Sequence, residues 1–225
     1  MKVKFLIIGA VLLGGAFSVF AYSPYYTHPD LTEEIAKLFN FKNISPDVKI
    51  SANEIKWMRE GAIDEDTPPR WINHFYDPVY KVGWQGKHFG DRTQEQGLYQ
   101  GESMAPLPAI ASINWVTNQE YQSTYGRQYG NQTWQKAIQS YIDGNRKEAF
   151  IALGHILHLI EDASVPDHTR NDTHADLFGD PGSPYEDYSK EHTNFNALTV
   201  AENLRGGDLL NFTIIQDAFE YLAGY

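Results

Sequence analysis

Residues 154–174, GHILHLIEDASVPDHTRNDTH, are the stretch from which the fold and the chemistry of this chain can be inferred. The first half repeats apolar residues at helical spacing, which predicts an α-helix. His158 and Asp162 are four residues apart, so a helix presents both side chains on one face, about one turn from each other. Pro166 then ends the helix, because proline lacks an amide hydrogen and disfavours a helical residue before it.

Two further histidines follow this helix, His168 just past the proline and His174 later in the same loop. Imidazoles and a carboxylate carried by a rigid helix and the turn after it are the ligands of a zinc site built from nitrogen and oxygen. The alternative is that these polar side chains have only a structural role and bind no metal. In that case they need other partners, because burying unpaired polar groups in so apolar a helix is costly. For His155, a buried hydrogen-bonded ring, or one that orients a ligand, is favoured over direct metal binding.

The composition limits the classes of protein to which the chain can belong. At 225 residues it is long enough for one domain with a sizeable core. It has no cysteine, which excludes disulfides, a cysteine-linked lipid anchor and cysteine-based zinc sites. A net charge of −11 argues against sequence-independent binding of nucleic acid, although several bound zinc ions would make a site locally positive.

The N-terminus has the pattern of a secretory signal. An apolar run from Phe5 to Ala21 follows two lysines and ends in small residues. We therefore expect a signal peptide at residues 1–21, a single mature domain at residues 22–225, and a secreted or periplasmic protein. An uncleaved membrane anchor is the alternative, although the run is short for a membrane span. The last predicted helix stays apolar up to Tyr225, so the natural protein could extend beyond this residue.

Helical periodicity dominates the rest of the chain, and strand-type alternation is scarce. A capping-box pattern at Ser51 predicts a helix start. Residues 64–130 are rich in proline, glycine and aromatic residues, which predicts mostly ordered loop with a short helix or two. The predicted helices are Asp30–Asn40, Ser51 to about Gly61, Gln132–Ile142, Arg146–Ser164, Ser189–Asn203 and Asp208–Ala223. The predicted fold is an all-α, single-domain helical bundle with long loops.

A second cluster of polar residues lies in GAIDEDTPPRWINHFYDP, residues 61–78. Three acidic residues precede His74, and the two prolines between them stiffen the connecting segment. The alternative interpretation is an exposed acidic turn followed by a packed aromatic loop. His28, before the first predicted helix, and Glu186, in GSPYEDY, are two further candidate ligands.

Together these features resemble the zinc-dependent phospholipase C family of bacteria, which shares a superfamily with the single-strand-specific zinc nucleases. The shared features are an early histidine before a helix, an aspartate followed by HFYDP, the spacing H-x-x-x-D-x-x-x-x-x-H, and a later Tyr-Glu. They extend from His28 to Glu186, over most of the mature chain. The resemblance implies an all-α fold around a multi-zinc cleft, with three zinc ions expected and at least two.

The resemblance also implies which residues bind the first two zinc ions. The ligands of the first ion would be Asp66, His74, His158 and Asp162. Asp64 is the alternative to Asp66, because the loop length differs from that of the family. The second ion would be held by Asp162, by His28, and by the amino and carbonyl groups of the mature first residue. That residue is Tyr22 if cleavage follows Ala21, whereas the family has tryptophan there.

The third zinc ion is where the chain departs most from the family pattern. His168 and Glu186 match two of its three ligands. The family's third ligand is a histidine four residues before the glutamate, and that position is Gly182 here. His174 lies in the same loop and is the expected substitute.

The resemblance implies a zinc-dependent hydrolase that cleaves a phospholipid headgroup ester, with Asp66 orienting or deprotonating the attacking water. Trp71 falls where the family places an aromatic residue in its headgroup pocket, and aromatic faces hold quaternary ammonium groups by cation–π attraction. The expected partners are a phospholipid or other phosphodiester substrate and a possible peripheral membrane contact. Nucleic acid is a less expected partner, and no obligate protein partner is evident. Two alternatives stay open: a single-strand nuclease or nucleotidase on the same metal site, and a non-enzymatic member stabilised by its metals.

Overall fold

The fold is all-α, as predicted. The computed structural model describes residues 27–42, 45–84, 109–170, 172, 183–191 and 214–224, and the regular elements in those ranges are helices, apart from one isolated bridge between Asp77 and Val82. The α-helices, numbered in chain order, are α1 Thr27–Lys42, α2 Ala52–Glu65, α3 Ser112–Trp115, α4 Gln119–Tyr125, α5 Trp134–Ile142, α6 Arg146–Asp162, α7 Pro166–Thr169, α8 Pro184–Glu191 and α9 Ile215–Ala223. Short 3-10 helices span Pro46–Val48, Arg70–Asn73 and Arg127–Tyr129.

Local sequence signals explain several helix ends. Ser51 caps α2 with the predicted capping box: its hydroxyl accepts from the backbone N–H of Glu54, and the Glu54 carboxylate accepts from the backbone N–H of Ser51 at 2.7 Å. Thr133 caps α5 in a similar way, by accepting from the backbone N–H of Lys136. Pro166 is the first residue of α7, a position where its missing N–H costs nothing.

Other helix boundaries differ from the prediction. The first helix begins at Thr27, so His28 lies inside its first turn rather than before it. Helix α2 continues to Glu65, beyond the predicted end at Gly61. Helix α6 ends at Asp162, two residues early, and α8 begins at Pro184, ahead of the predicted start. The predicted long loops fall largely outside the described residues and stay a prediction.

Helices α2 and α6 run in the same direction and touch through their backbones. Arg146 pairs with Glu54 near the two starts, and His158 reaches Ala62 near the two ends. A Cβ atom added at Gly154 would lie 2.0 Å from the carbonyl oxygen of Met58, and α2 has an equivalent close contact at Gly61. Only glycine permits so close an approach.

Helix α1 runs antiparallel to this pair, so its first turn lies beside the last turns of α2 and α6. Arg59 of α2 pairs with Asp30 and Glu33 of α1, and His28 reaches Glu161 of α6. Apolar clusters around Trp115, Ile156 and Phe219 and around Met58 and Phe150 support the packing. The start of one helix and the ends of two others therefore meet at one point. No helix in the described part of the chain is long and apolar enough to span a membrane.

Candidate metal centre

Six of the predicted ligand residues converge where α1, α2 and α6 meet. Each of them is at most 3 % exposed. They come from five places in the chain: the first turn of α1, the residue directly after α2, the residue after the 3-10 helix Arg70–Asn73, the last turns of α6, and α7. They are His28, Asp66, His74, His158, Asp162 and His168.

Four of these side chains form a group of facing nitrogen and oxygen atoms, which we call the four-residue group: Asp66, His74, His158 and Asp162. Asp66 Oδ1 lies 3.7 Å from His74 Nδ1 and 3.5 Å from His158 Nε2. Asp162 Oδ2 lies 2.9 Å from His74 Nδ1 and 3.3 Å from His158 Nε2. Ligand atoms about 2.0–2.1 Å from a tetrahedral zinc ion are about 3.3 Å apart. These four nitrogen–oxygen separations lie around that distance, so the group could hold a metal ion.

The two oxygens of Asp162 face different partners. Oδ2 faces His74 and His158, with His168 Nδ1 at 3.7 Å, whereas Oδ1 lies 3.4 Å from His28 Nε2. The rings of His28 and His158 are stacked with their centroids 3.6 Å apart. Two overlapping sets of three side chains could hold a cation: His28 with Asp66 and His158, and His74 with His158 and Asp162. A carboxylate that faces histidines on both sides is suited to bridging two ions.

Within the described part of the chain, six polar atoms of the four-residue group lie close to one another but make none of the hydrogen bonds that buried groups normally have. Both carboxylate oxygens of Asp66 and of Asp162 are buried without a hydrogen bond in the described structure, as are Nε2 of His74 and of His158. Buried polar groups are costly unless they are paired or bind a metal. The cluster could therefore hold a metal ion, and nitrogen and oxygen donors fit zinc.

The pKa shifts in the cluster favour positive charge beside its carboxylates. Burial alone lowers the pKa of a histidine, yet the carboxylates of Asp66 and Asp162 raise the pKa of His158 well above its ordinary value. Burial alone raises the pKa of an aspartate, yet the surrounding histidines hold the pKa of Asp162 well below its ordinary value. The C-terminal ends of α2 and α6 add partial negative charge at the same place, and together they outweigh the partial positive charge at the start of α1. The electrostatic environment is that of a cation site.

The histidines are held in orientation by groups behind them. The carbonyl oxygen of Ala62 lies 2.7 Å from His158 Nδ1, so that nitrogen donates backwards and Nε2 faces the carboxylates. His168 Nδ1 lies 3.4 Å from the carbonyl oxygen of His74, and its ring stacks on Phe75 with centroids 4.6 Å apart. His74 is reversed, with Nδ1 toward the carboxylates. The rings of His158 and His74 therefore enter the cluster through a defined nitrogen.

A buried network around Glu65, to which the sequence assigns no role, supports the site from behind. Its Oε2 accepts from Arg70 Nε at 2.7 Å and lies 2.5 Å from His155 Nδ1, while Oε1 accepts from Trp115 Nε1 at 2.8 Å. Oε1 also lies 3.7 Å from His74 Nε2. His155 is thus a buried, hydrogen-bonded ring, the interpretation favoured from the sequence. The sequence could not identify this role, because Glu65 stands between two candidate aspartates and no local pattern shows which of the three acids lies in this network.

This network predicts a pH dependence of stability. Burial lowers the pKa of His155 to about 4, so the neutral ring donates to Glu65. A histidine whose pKa is lowered on folding binds its proton more tightly when unfolded. Its stabilisation is therefore complete above about pH 6.5 and is lost as the pH falls toward 4, by about 3 kcal/mol. The test is to measure the free energy of unfolding of wild type and of His155→Gln by urea titration in chelator, at several pH values. As the pH is lowered from about 6.5 to about 4, we expect the difference, wild type minus variant, to fall by this amount. Curves of unfolding free energy against pH that run parallel for the two proteins would contradict the prediction.

The structure separates the two aspartates between which the sequence could not choose. Asp66 joins the cluster, whereas Asp64 points away and accepts a hydrogen bond from the Tyr129 hydroxyl at 3.1 Å. Trp71, predicted to contact the headgroup, is 2 % exposed and packs against Trp84 with ring centroids 5.8 Å apart. Its substrate-binding role stays a prediction.

The remaining predicted ligands fall wholly or partly outside the described residues. Tyr22 and His174 lie outside them, as does Gly182. Glu186 lies in α8, but the position of its side chain is outside the description. The Ser183 hydroxyl, just before α8, donates to Asp167, the neighbour of His168. The backbone that carries Glu186 is thereby attached beside α7.

Comparison of the chain with protein-family models, with curated proteins and with solved structures finds no significant match.

Proposed function

We propose that this protein is a secreted, zinc-dependent phosphodiester hydrolase of the phospholipase C type, with three zinc ions at full occupancy. One observation carries the proposal: the four nitrogen–oxygen separations of 2.9–3.7 Å within the four-residue group lie around the roughly 3.3 Å edge of a tetrahedral zinc site. The two-sided orientation of Asp162 supports a second ion next to the first. The resemblance of HFYDP and of the histidine–aspartate spacing to the zinc phospholipases C supplies the reaction class.

The donor set favours catalytic zinc over structural zinc, because structural sites in proteins rely heavily on cysteine and this chain has none. Zinc in such a cluster supplies Lewis acidity, which activates water near neutral pH and stabilises the charge that develops on a phosphodiester under attack. The protein holds the histidine rings and carboxylates at fixed positions on three packed helices and on the segments that directly follow them, so little reorganisation is needed during the reaction.

Asp66 is the proposed general base. It occupies the position directly after the last residue of α2, which fixes its backbone in a helical conformation. Its Oδ1 faces the two rings of the four-residue group, and its Oδ2 is buried without a hydrogen-bond partner among the described residues. That second oxygen is available to orient a water molecule and to accept its proton.

The test is to purify the mature protein, count zinc per molecule by mass spectrometry, and assay a chromogenic phosphocholine diester beside single-stranded DNA. Turnover of the phosphocholine diester that disappears with chelator and returns with zinc is the expected result. Turnover of DNA alone would overturn the phospholipase assignment in favour of a nuclease. Zinc bound tightly without turnover of either substrate would overturn the hydrolase proposal.

Asp66→Asn and Asp64→Asn form a matched pair for the catalytic assignment. We expect Asp66→Asn to lower kcat on the phosphocholine diester by about 100- to 10,000-fold, because an amide cannot accept the proton of water. The same substitution at Asp64 keeps an oxygen that can accept from the Tyr129 hydroxyl, removes only a charge that points away from the cluster, and should leave kcat close to that of wild type. Equal losses in the two variants, or a larger loss at Asp64, would contradict the role given to Asp66.

A further inference from the structure

Glu161 is a buried carboxylate that links α6 to the first turns of α1. The residue is 4 % exposed and lies beside Asp162 in the chain. Its Oε2 is 2.7 Å from His28 Nδ1, and its Oε1 accepts a hydrogen bond from the Thr32 hydroxyl at 2.9 Å. His28 and Thr32 are four residues apart on α1, so one carboxylate engages two neighbouring side chains of the same helix face.

The contact with Glu161 indicates which nitrogen of the neutral His28 ring carries the proton. A carboxylate can only accept hydrogen bonds, so Nδ1 of the ring must be the donor to Oε2. The lone pair of the neutral ring is then on Nε2, which faces Asp162 Oδ1 at 3.4 Å. Stacking of the His28 ring on His158 restrains the plane of the ring from the other side.

We propose that Glu161 is a positioning residue for the His28 side of the cluster, fixing the imidazole tautomer that presents Nε2 to a bound cation. The inference rests on the proposed function, since it assumes that zinc binds there. Carboxylates that accept from the outer nitrogen of a ligating histidine orient the ring and make it a stronger ligand, and their loss weakens metal binding by about 10- to 100-fold. Glu161 would add a further link, because the same carboxylate anchors α1 through Thr32.

Glu161→Gln is the sharpest variant, because it keeps the size of the side chain and removes the second acceptor. In one orientation the amide accepts from Thr32 and turns its NH₂ group toward His28, which forces the wrong tautomer on the ring. In the other orientation the amide accepts from His28 and donates to the Thr32 hydroxyl, but it lacks the negative charge that makes the ring a stronger ligand. We expect competition with a chromophoric chelator to show one zinc ion bound about 10- to 100-fold more weakly, with the remaining ions unchanged. Thr32→Val is the matched control: it removes the other hydrogen bond of Glu161, leaves the contact with His28, and should weaken zinc binding much less.

Long-range proton–nitrogen NMR of the histidine rings in zinc-loaded wild type tests the tautomer directly and does not depend on whether a variant folds. A proton on His28 Nδ1 and none on Nε2 is the expected spectrum. A proton on Nε2, or zinc affinity equal in wild type and Glu161→Gln, would overturn the positioning role while leaving the hydrolase proposal intact. Wild-type protein that binds no zinc would instead overturn the proposed function on which the inference rests.

Discussion

His158→Ala is expected to abolish tight zinc binding and phosphodiesterase turnover together. His158 belongs to both sets of side chains that could hold a cation, so removal of one ring takes a ligand from each. Its Nε2 lies within 3.5 Å of Asp66 and of Asp162. Two carboxylates are then left without the ring that faces both.

The size of the effect can be measured as zinc-dependent stability. At free zinc 100-fold above the dissociation constant, wild type should gain about 3 kcal/mol in the free energy of unfolding. The variant should gain little of this, and its zinc content after dialysis should fall well below that of wild type. Urea unfolding with and without zinc, together with mass spectrometry, measures both quantities.

His155→Ala is the control, because it makes the same substitution one turn earlier on α6 at a ring that is equally buried. His155 faces Glu65 rather than the cluster, so its loss should destabilise the metal-free protein while the zinc count stays that of wild type. Full zinc content in His158→Ala, or equal zinc loss in the two variants, would contradict the assignment of the ligands.

Gly154→Ala is expected to destabilise the protein by about 3 kcal/mol or more, although alanine is the better helix former by about 1 kcal/mol. The new Cβ would lie 2.0 Å from the carbonyl oxygen of Met58 and 3.0 Å from the amide nitrogen of Ala62, and both atoms belong to the backbone of α2. Backbone atoms cannot turn aside as a flexible side chain can. The steric term therefore outweighs helix propensity, and the helices must separate.

Separation of α2 from α6 would also affect the site, because His158 Nδ1 is held by the Ala62 carbonyl at 2.7 Å. We expect weaker zinc binding in addition to the lower free energy of unfolding, measured by urea titration in chelator. Gly144→Ala is the control: its φ of +81° makes alanine cost about 1–2 kcal/mol, but nothing lies within 4 Å of the new atom and zinc affinity should not change. A Gly154→Ala protein as stable as wild type would contradict the close contact.

Local sequence patterns predicted those features that depend on residues close together in the chain, such as helix starts and the side chains that share a helix face. The capping box at Ser51 and the start of α6 at Arg146 follow from hydrogen bonds and periodicity within a few residues, and the structure has both. The same local geometry places His158 and Asp162 on one face of a helix. Helix ends were less well predicted, as at α2, because the last turn is stabilised by tertiary contacts such as those of Glu65.

Choices between neighbouring residues of the same type could not be made from the sequence. Asp64, Glu65 and Asp66 are consecutive acids, and each meets a different partner: the Tyr129 hydroxyl, the Arg70 guanidinium and the rings of the cluster. Which partner each one meets depends on the rotation of α2 about its axis once it packs on α6. That rotation is set by the close contacts at Gly61 and Gly154.

The sequence by itself therefore determined the fold class and the histidine–aspartate pair on α6, because periodicity and spacing act within one helix turn. Only the tertiary structure decided that Asp66 rather than Asp64 faces the rings, and that Glu161 stands behind His28. Those contacts join residues far apart in the chain, 133 positions for His28 and Glu161. Their geometry depends on how the three helices α1, α2 and α6 pack, and a local sequence pattern does not predict that packing.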